Sequence, residues 1–134
     1  MAHAWIIEHF GSLDSELADP HLDADGDGRT NLAEFLFGSH PLEPDAPYFV
    51  AFLDENEEDG QRIFVEFRHR ETDAFAFSLE SSDDLVHWSS FAGDIDWSST
   101  RPDPDQEFYQ IRTIGLRPAA GFSGQFYRIH AKEN

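Results

Sequence analysis

The spacing of apolar residues changes once along this chain. Before Gly38 they recur at helical intervals, and from Tyr48 onward they alternate as in strands. Residues 3–10, HAWIIEHF, set Trp5, Ile6 and Phe10 along one side of a short amphipathic helix, with Trp5 as a core anchor and Gly11 as the stop. Ser12, Asp14 and Ser15 then read as a turn. A second helix is expected from Thr30 to Phe37, with Leu32, Phe35 and Leu36 on its apolar side. Gly38 caps it and Pro41 bars its continuation. Pro41, Pro44 and Pro47 then space out an extended connector, which marks a boundary within the domain.

Beyond the connector, Tyr48–Leu53 is an apolar run of strand length. Gln61–His69 alternates, with Ile63, Val65 and Phe67 on one face and Glu66 and Arg68 on the other. Ala74–Ser82 does the same with Phe75, Phe77 and Leu79. A short strand is expected over Val86–Phe91 around Trp88. Two more cover Glu107–Leu116, with Tyr109 and Ile111 inward, and Gly124–Ala131, with Tyr127 and Ile129 inward. Acidic or Pro/Gly-rich connectors fall at Asp54–Gly60, Arg101–Asp105 and Pro118–Gly124, and Trp97 is placed in a WSST turn. The pattern predicts a mainly β fold, an antiparallel sandwich or small barrel, preceded by a helix–loop–helix-like segment. Residues 1–47 form that segment and 48–134 the β-domain, packed as one unit.

The segment between the two helices carries the chemistry. Asp23–Glu34, DADGDGRTNLAE, has carboxylates at positions 1, 3 and 5 (Asp23, Asp25, Asp27), glycine at 6 (Gly28), Asn31 at 9 and Glu34 at 12. This is the ligand spacing of a twelve-residue calcium loop. Alternate side chains at its start converge, Gly28 permits the sharp turn, and Arg29 contributes only its backbone carbonyl while its side chain swings outward. Asn31 ligates directly or through water, and Glu34 closes the shell with both oxygens. Magnesium is the weaker candidate, since it demands stricter octahedral geometry and fewer protein ligands. Without an ion the four carboxylates repel one another and the loop is expected to be loose. Pro20 stands three residues before the loop and blocks a regular entering helix, so this is not an EF-hand of the usual kind.

Composition narrows the partners. The 134 residues carry a net charge of −18, which disfavours nucleic acid and anionic lipid surfaces and favours cations. Aromatics are abundant (13 Phe, 3 Trp, 3 Tyr), enough for a sizeable core. There is no cysteine, so a bound metal would take the stapling role that disulfides fill in small secreted domains. No run is long and apolar enough for a membrane span, and no signal-peptide pattern opens the chain, whose Met1-Ala2-His3 start suits a piece of a longer protein. The seven histidines show no zinc-ligand spacing; His21 and His40 flank the loop. The run Asp54–Gly60 could hold a second cation, but it lacks the alternate ligand spacing and closing glutamate and reads sooner as a solvated hairpin loop.

Residues 5–41, WIIEHFGS through DADGDGRTNLAEFLFGSHP, resemble a module near the C-termini of large secreted bacterial proteins. In those a DxDGDGxxNxxE loop is followed by an aromatic helix and a Gly-x-x-Pro exit. The likeness continues through FSLESSDDLVHW (Phe77–Trp88) and QFYRIHA (Gln125–Ala131). The loop also resembles half of a dockerin or one thrombospondin type 3 unit. The second dockerin loop is missing, and with it the paired architecture that a cohesin-type partner needs. The resemblance implies a secreted or cell-surface location and an accessory role within a parent multidomain chain, with calcium as a structural ion.

Catalysis is not expected. Adjacent acids such as Glu57-Glu58-Asp59 and Asp94-x-Asp96 arise by chance among 27, and no serine has a nucleophile-elbow context. The leading expectation is a non-catalytic, calcium-stabilised module, monomeric as an isolated domain. One alternative is a carbohydrate-binding module that presents Trp97, Trp88 or Tyr109 as an aromatic platform, although Trp88 beside Leu85 and Val86 also suits core packing. The other is a protein-docking or surface-sorting module.

Overall fold

The computed structural model describes residues 1–54, 62–118 and 126–134. The chain is mainly β, with 43% strand against 15% helix, arranged as two antiparallel sheets in a sandwich-like fold behind a short helical segment. Helix α1 (His3–Phe10) ends at Gly11, whose N–H donates to the Ile7 carbonyl at 2.9 Å. A 3-10 turn covers Glu16–Ala18. Helix α2 (Asn31–Phe37) starts one residue later than the apolar pattern suggests, because Thr30 is its cap and accepts from Ala33 N–H at 3.2 Å. Gly38 ends α2 at φ 78°, pressed against Arg68, Gln106 and Tyr109, so both its backbone conformation and the space demand glycine.

The strands are β1 (Phe49–Asp54), β2 (Arg62–Arg70), β3 (Phe75–Ser82), β4 (Ser89–Ser90), β5 (Gly93–Pro102), β6 (Tyr109–Pro118) and β7 (Phe126–Glu133). One sheet has the order β1-β2-β6-β5 and the other β4-β3-β7. Ile63, Val65 and Phe67 of β2 meet Ile114 and Leu116 of β6 and Leu79 of β3 in the core between the sheets, with Phe77, Phe91, Tyr127 and Ile129 around them. Each such side chain is worth about 1.5–3 kcal/mol when fully buried. A second cluster joins Trp5, Phe35 and Leu36 of the helices to Phe75, Phe77 and Ala131 of the second sheet, which seats the helical segment on the sandwich.

Three expectations need correction. Val86–Phe91 is not a strand around Trp88: only Ser89 and Ser90 pair, and the residues before them form a turn built by polar side chains. There the Ser82 hydroxyl accepts from Asp84 and Leu85 N–H, and Asp84 Oδ1 accepts from Val86 and His87 N–H. The SDDL signature is thus a side-chain-capped turn, with Leu85 at φ 64° and both Leu85 and Val86 exposed. Second, Trp97 and Arg101 lie in no turn but in the ten-residue edge strand β5, exposed along its whole length. Third, Tyr109 and Ile111 are buried, yet they pair with Arg70 and Arg68 and so share the sheet face opposite to Val65 and Leu116. Tyr109 is covered instead by α2, where its hydroxyl donates to the Phe35 carbonyl. The expected hairpin at 55–60 and the connector at 119–124 lie outside the described residues.

Candidate metal centre

The Asp23–Glu34 loop is held from both ends. Asn31 N–H donates to the Leu22 carbonyl at 2.8 Å and Leu32 N–H to the Pro20 carbonyl at 3.0 Å, which ties the entering turn to the first residues of α2. The proline that prevents an entering helix therefore leaves a carbonyl that braces the exit. Inside the loop, Asp23 accepts from Gly26 N–H at 2.9 Å and from Gly28 N–H at 2.8 Å. Asp25 Oδ1 accepts from Asp27 N–H at 3.2 Å, and Asp27 Oδ1 from Arg29 N–H at 2.9 Å. Gly28 sits at φ 92°, and a Cβ there would meet nothing within 4 Å. Glycine is thus required by the backbone conformation and not by crowding.

These bonds leave a definite set of oxygens unused. Asp25 Oδ2, Asp27 Oδ2, Asn31 Oδ1 and both Glu34 carboxylate oxygens are buried, and no hydrogen-bond donor reaches them. Asn31 and Glu34 are 0% and 1% exposed. The orientation of Asn31 follows from its neighbours: its Nδ2 donates to the Leu17 carbonyl at 2.6 Å and the Asp19 carbonyl at 2.8 Å. Carbonyls only accept, so that end of the amide must be the NH2 and the oxygen faces the other way. Buried oxygens without donors are costly, and a cation is the kind of partner that relieves that cost.

The electrostatics agree. Burial, followed by a side-chain hydrogen bond shared with Asp27 and then the charges of Asp25, Asp27 and Asp45, pushes Glu34 up from 4.5 to about 8. Burial also raises Asp25. Acids crowded together in a dry site hold their protons to higher pH than free carboxyls do. Among the described residues, the groups of three or more ligand-type side chains that converge within 4.8 Å are Asp23, Asp25 and Asp27, and Asp27, Glu34 and Asp45. Neither contains a histidine; the donors are all oxygens, which suit a hard cation.

One residue behaves differently from expectation. The Arg29 side chain does not swing clear: its guanidinium donates to the Asp45 carbonyl, and Nη2 lies 3.9 Å from Asp27 Oδ2. Asp45 itself, in the proline-spaced connector, carries no loop-pattern signal, and its place beside Glu34 comes only from the fold. His21 is exposed. His40 N–H donates to both Asp45 oxygens at 3.1 and 3.2 Å, while its ring packs 4.8 Å from that of His9.

The aromatic candidates separate. Tyr109 is 6% exposed and presents no face for stacking. Trp88 is half-buried, belongs to neither core cluster and is covered by the Arg128 guanidinium at 4.3 Å from its ring centre. Trp97 is 45% exposed on the open face of the first sheet. It stands edge-on to Phe64 at 6.0 Å, and Phe64 stacks on Phe52 at 5.3 Å. Comparison with family models, with curated proteins and with solved structures yields no match. Among the described residues no helix is long and apolar enough to cross a membrane.

Proposed function

We propose that the chain is a non-catalytic, calcium-stabilised accessory module of a larger secreted or cell-surface protein. The observation that carries the reading is the set of buried, donor-less oxygens on Asp25, Asp27, Asn31 and Glu34. Asp23, Asp25, Asp27, Asn31 and Glu34 supply the side-chain ligands, and Arg29 the backbone carbonyl of the seventh loop position. Calcium suits this site better than magnesium, because a flexible shell of many protein oxygens fits its looser coordination. The ion acts on folding: it neutralises the crowded carboxylates and fixes α2, whose Phe35 and Leu36 dock with Trp5 on the sandwich. Extracellular loops of this kind bind at roughly 10⁻⁴ to 10⁻³ M. Isothermal titration with calcium, and with magnesium as competitor, tests the reading; absence of calcium heat at millimolar concentration overturns it.

A second reading has its own observation. Phe52, Phe64 and Trp97 form an aromatic row across β1, β2 and β5 on an open sheet face, the kind of surface on which sugar rings stack. Retention on polysaccharide affinity gels that is lost in Trp97→Ala, with melting unchanged, supports carbohydrate binding; equal migration of both forms opposes it.

A further inference from the structure

We propose that Asp45 is an additional ligand of the bound cation, so that one ion joins the loop, α2 and the connector that leads into β1. This deepens the calcium reading and rests on it. Asp45 lies 11 residues beyond Glu34, outside the loop pattern, yet Asp27, Glu34 and Asp45 each offer an oxygen within 4.8 Å of the other two. Two oxygens that share a calcium ion at about 2.3–2.6 Å each stand at most about 5 Å apart, so these three are spaced as ligands of one ion. The Glu34 carboxylate in this triad is buried without a donor, an observation independent of the clustering of acids.

The backbone is built to present Asp45. The Arg29 guanidinium holds its carbonyl, and Pro44 and Pro47 fix the chain on either side. The His40 N–H engages its carboxylate at 3.1 and 3.2 Å, which leaves lone pairs on both oxygens. Asp45 is solvent-exposed, so it closes the outer side of the shell, where water otherwise completes the coordination of such a loop. A fifth carboxylate also adds charge attraction for a divalent ion. The ion thereby orders the connector as well as the loop.

The test uses the whole chain with Asp45→Asn, Asp45→Ala and, as a control in the same connector, Glu43→Gln at an exposed position. Calcium affinity is read by isothermal titration, and coordinated water by terbium luminescence lifetimes in H2O and D2O. Asp45→Asn is expected to weaken calcium by about tenfold or more, since even an outer partner of a metal ligand is worth that much. Asp45→Ala is expected to gain one water on terbium, and Glu43→Gln to match wild type. Because Asn preserves the shape of Asp45, its melting in chelator reports that the fold is intact. Wild-type affinity and water number in both Asp45 variants overturn the proposal. A wild-type chain that binds neither ion is a separate result, which removes the calcium reading itself and this proposal with it.

Discussion

The Tyr109 hydroxyl donates to the Phe35 carbonyl, a bond between the first residue of β6 and the helix that carries Glu34. It couples the sandwich to the acidic loop through one short path. Removing the hydroxyl in Tyr109→Phe is expected to cost about 1 kcal/mol, the net worth of a buried hydrogen bond, and to lower the urea midpoint without changing the slope. An unchanged midpoint would mean that packing alone holds α2 in place.

Calcium is expected to raise the melting temperature of the wild type by several degrees. At 1 mM ion and the affinity given above, mass action supplies roughly 0.4–1.4 kcal/mol. Glu34→Gln and Asp23→Ala are expected to abolish most of that gain and to change melting little in chelator. Differential scanning calorimetry with and without chelator checks both, and coincident wild-type curves would remove the structural role for the ion.

The loop should respond to pH in a direction that Glu34 sets. Its carboxyl is raised from 4.5 to about 8 in the folded chain, so the native state holds a proton that the unfolded state releases first. Stability without calcium is therefore greatest below about pH 4.5 as far as this group contributes, and it declines as pH rises to about 8. Calcium competes with that proton, so affinity is expected to rise across the same interval with proton release near pH 7. Titrations in buffers of different ionisation enthalpy measure the release, and Glu34→Gln should suppress it.

Asn31 is predicted to matter even without metal. Its amide donates to the Leu17 and Asp19 carbonyls, so Asn31→Ala leaves two carbonyls short of a donor and is expected to cost about 2 kcal/mol in chelator. Glu34→Gln, by contrast, replaces a side chain that holds no carbonyl of the scaffold. Chemical denaturation of the two variants in chelator separates a scaffold residue from a pure ligand.

The features legible in the sequence are those encoded locally. Residues 3–10 carry their helix in their apolar spacing, and β2 carries its buried face in the alternation of Ile63, Val65 and Phe67. Strand β5 was not legible, because an edge strand exposed on both faces has no alternation to read. Tyr109 and Ile111 share a face, as their spacing requires, but periodicity does not say which side of the sheet that face meets. The loop side chains follow a spacing rule; Asp45 obeys none, since its position depends on how a proline-spaced connector turns back past Arg29.

The break in register between Ile95 and Trp97 places Asp96 opposite no partner strand residue, and there it receives both Arg62, at 2.7 Å, and Arg117, at 2.8 Å. An exposed border strand is an invitation to self-association, because a second molecule can extend the sheet by pairing with it. The bulge twists this border away from the flat geometry that an incoming strand needs, and the Asp96 carboxylate, clasped by Arg62 and Arg117 of the two strands behind it, pins the bulge to the sheet. The border beside Trp97 can therefore keep that aromatic ring in the open while being a poor template for a second strand.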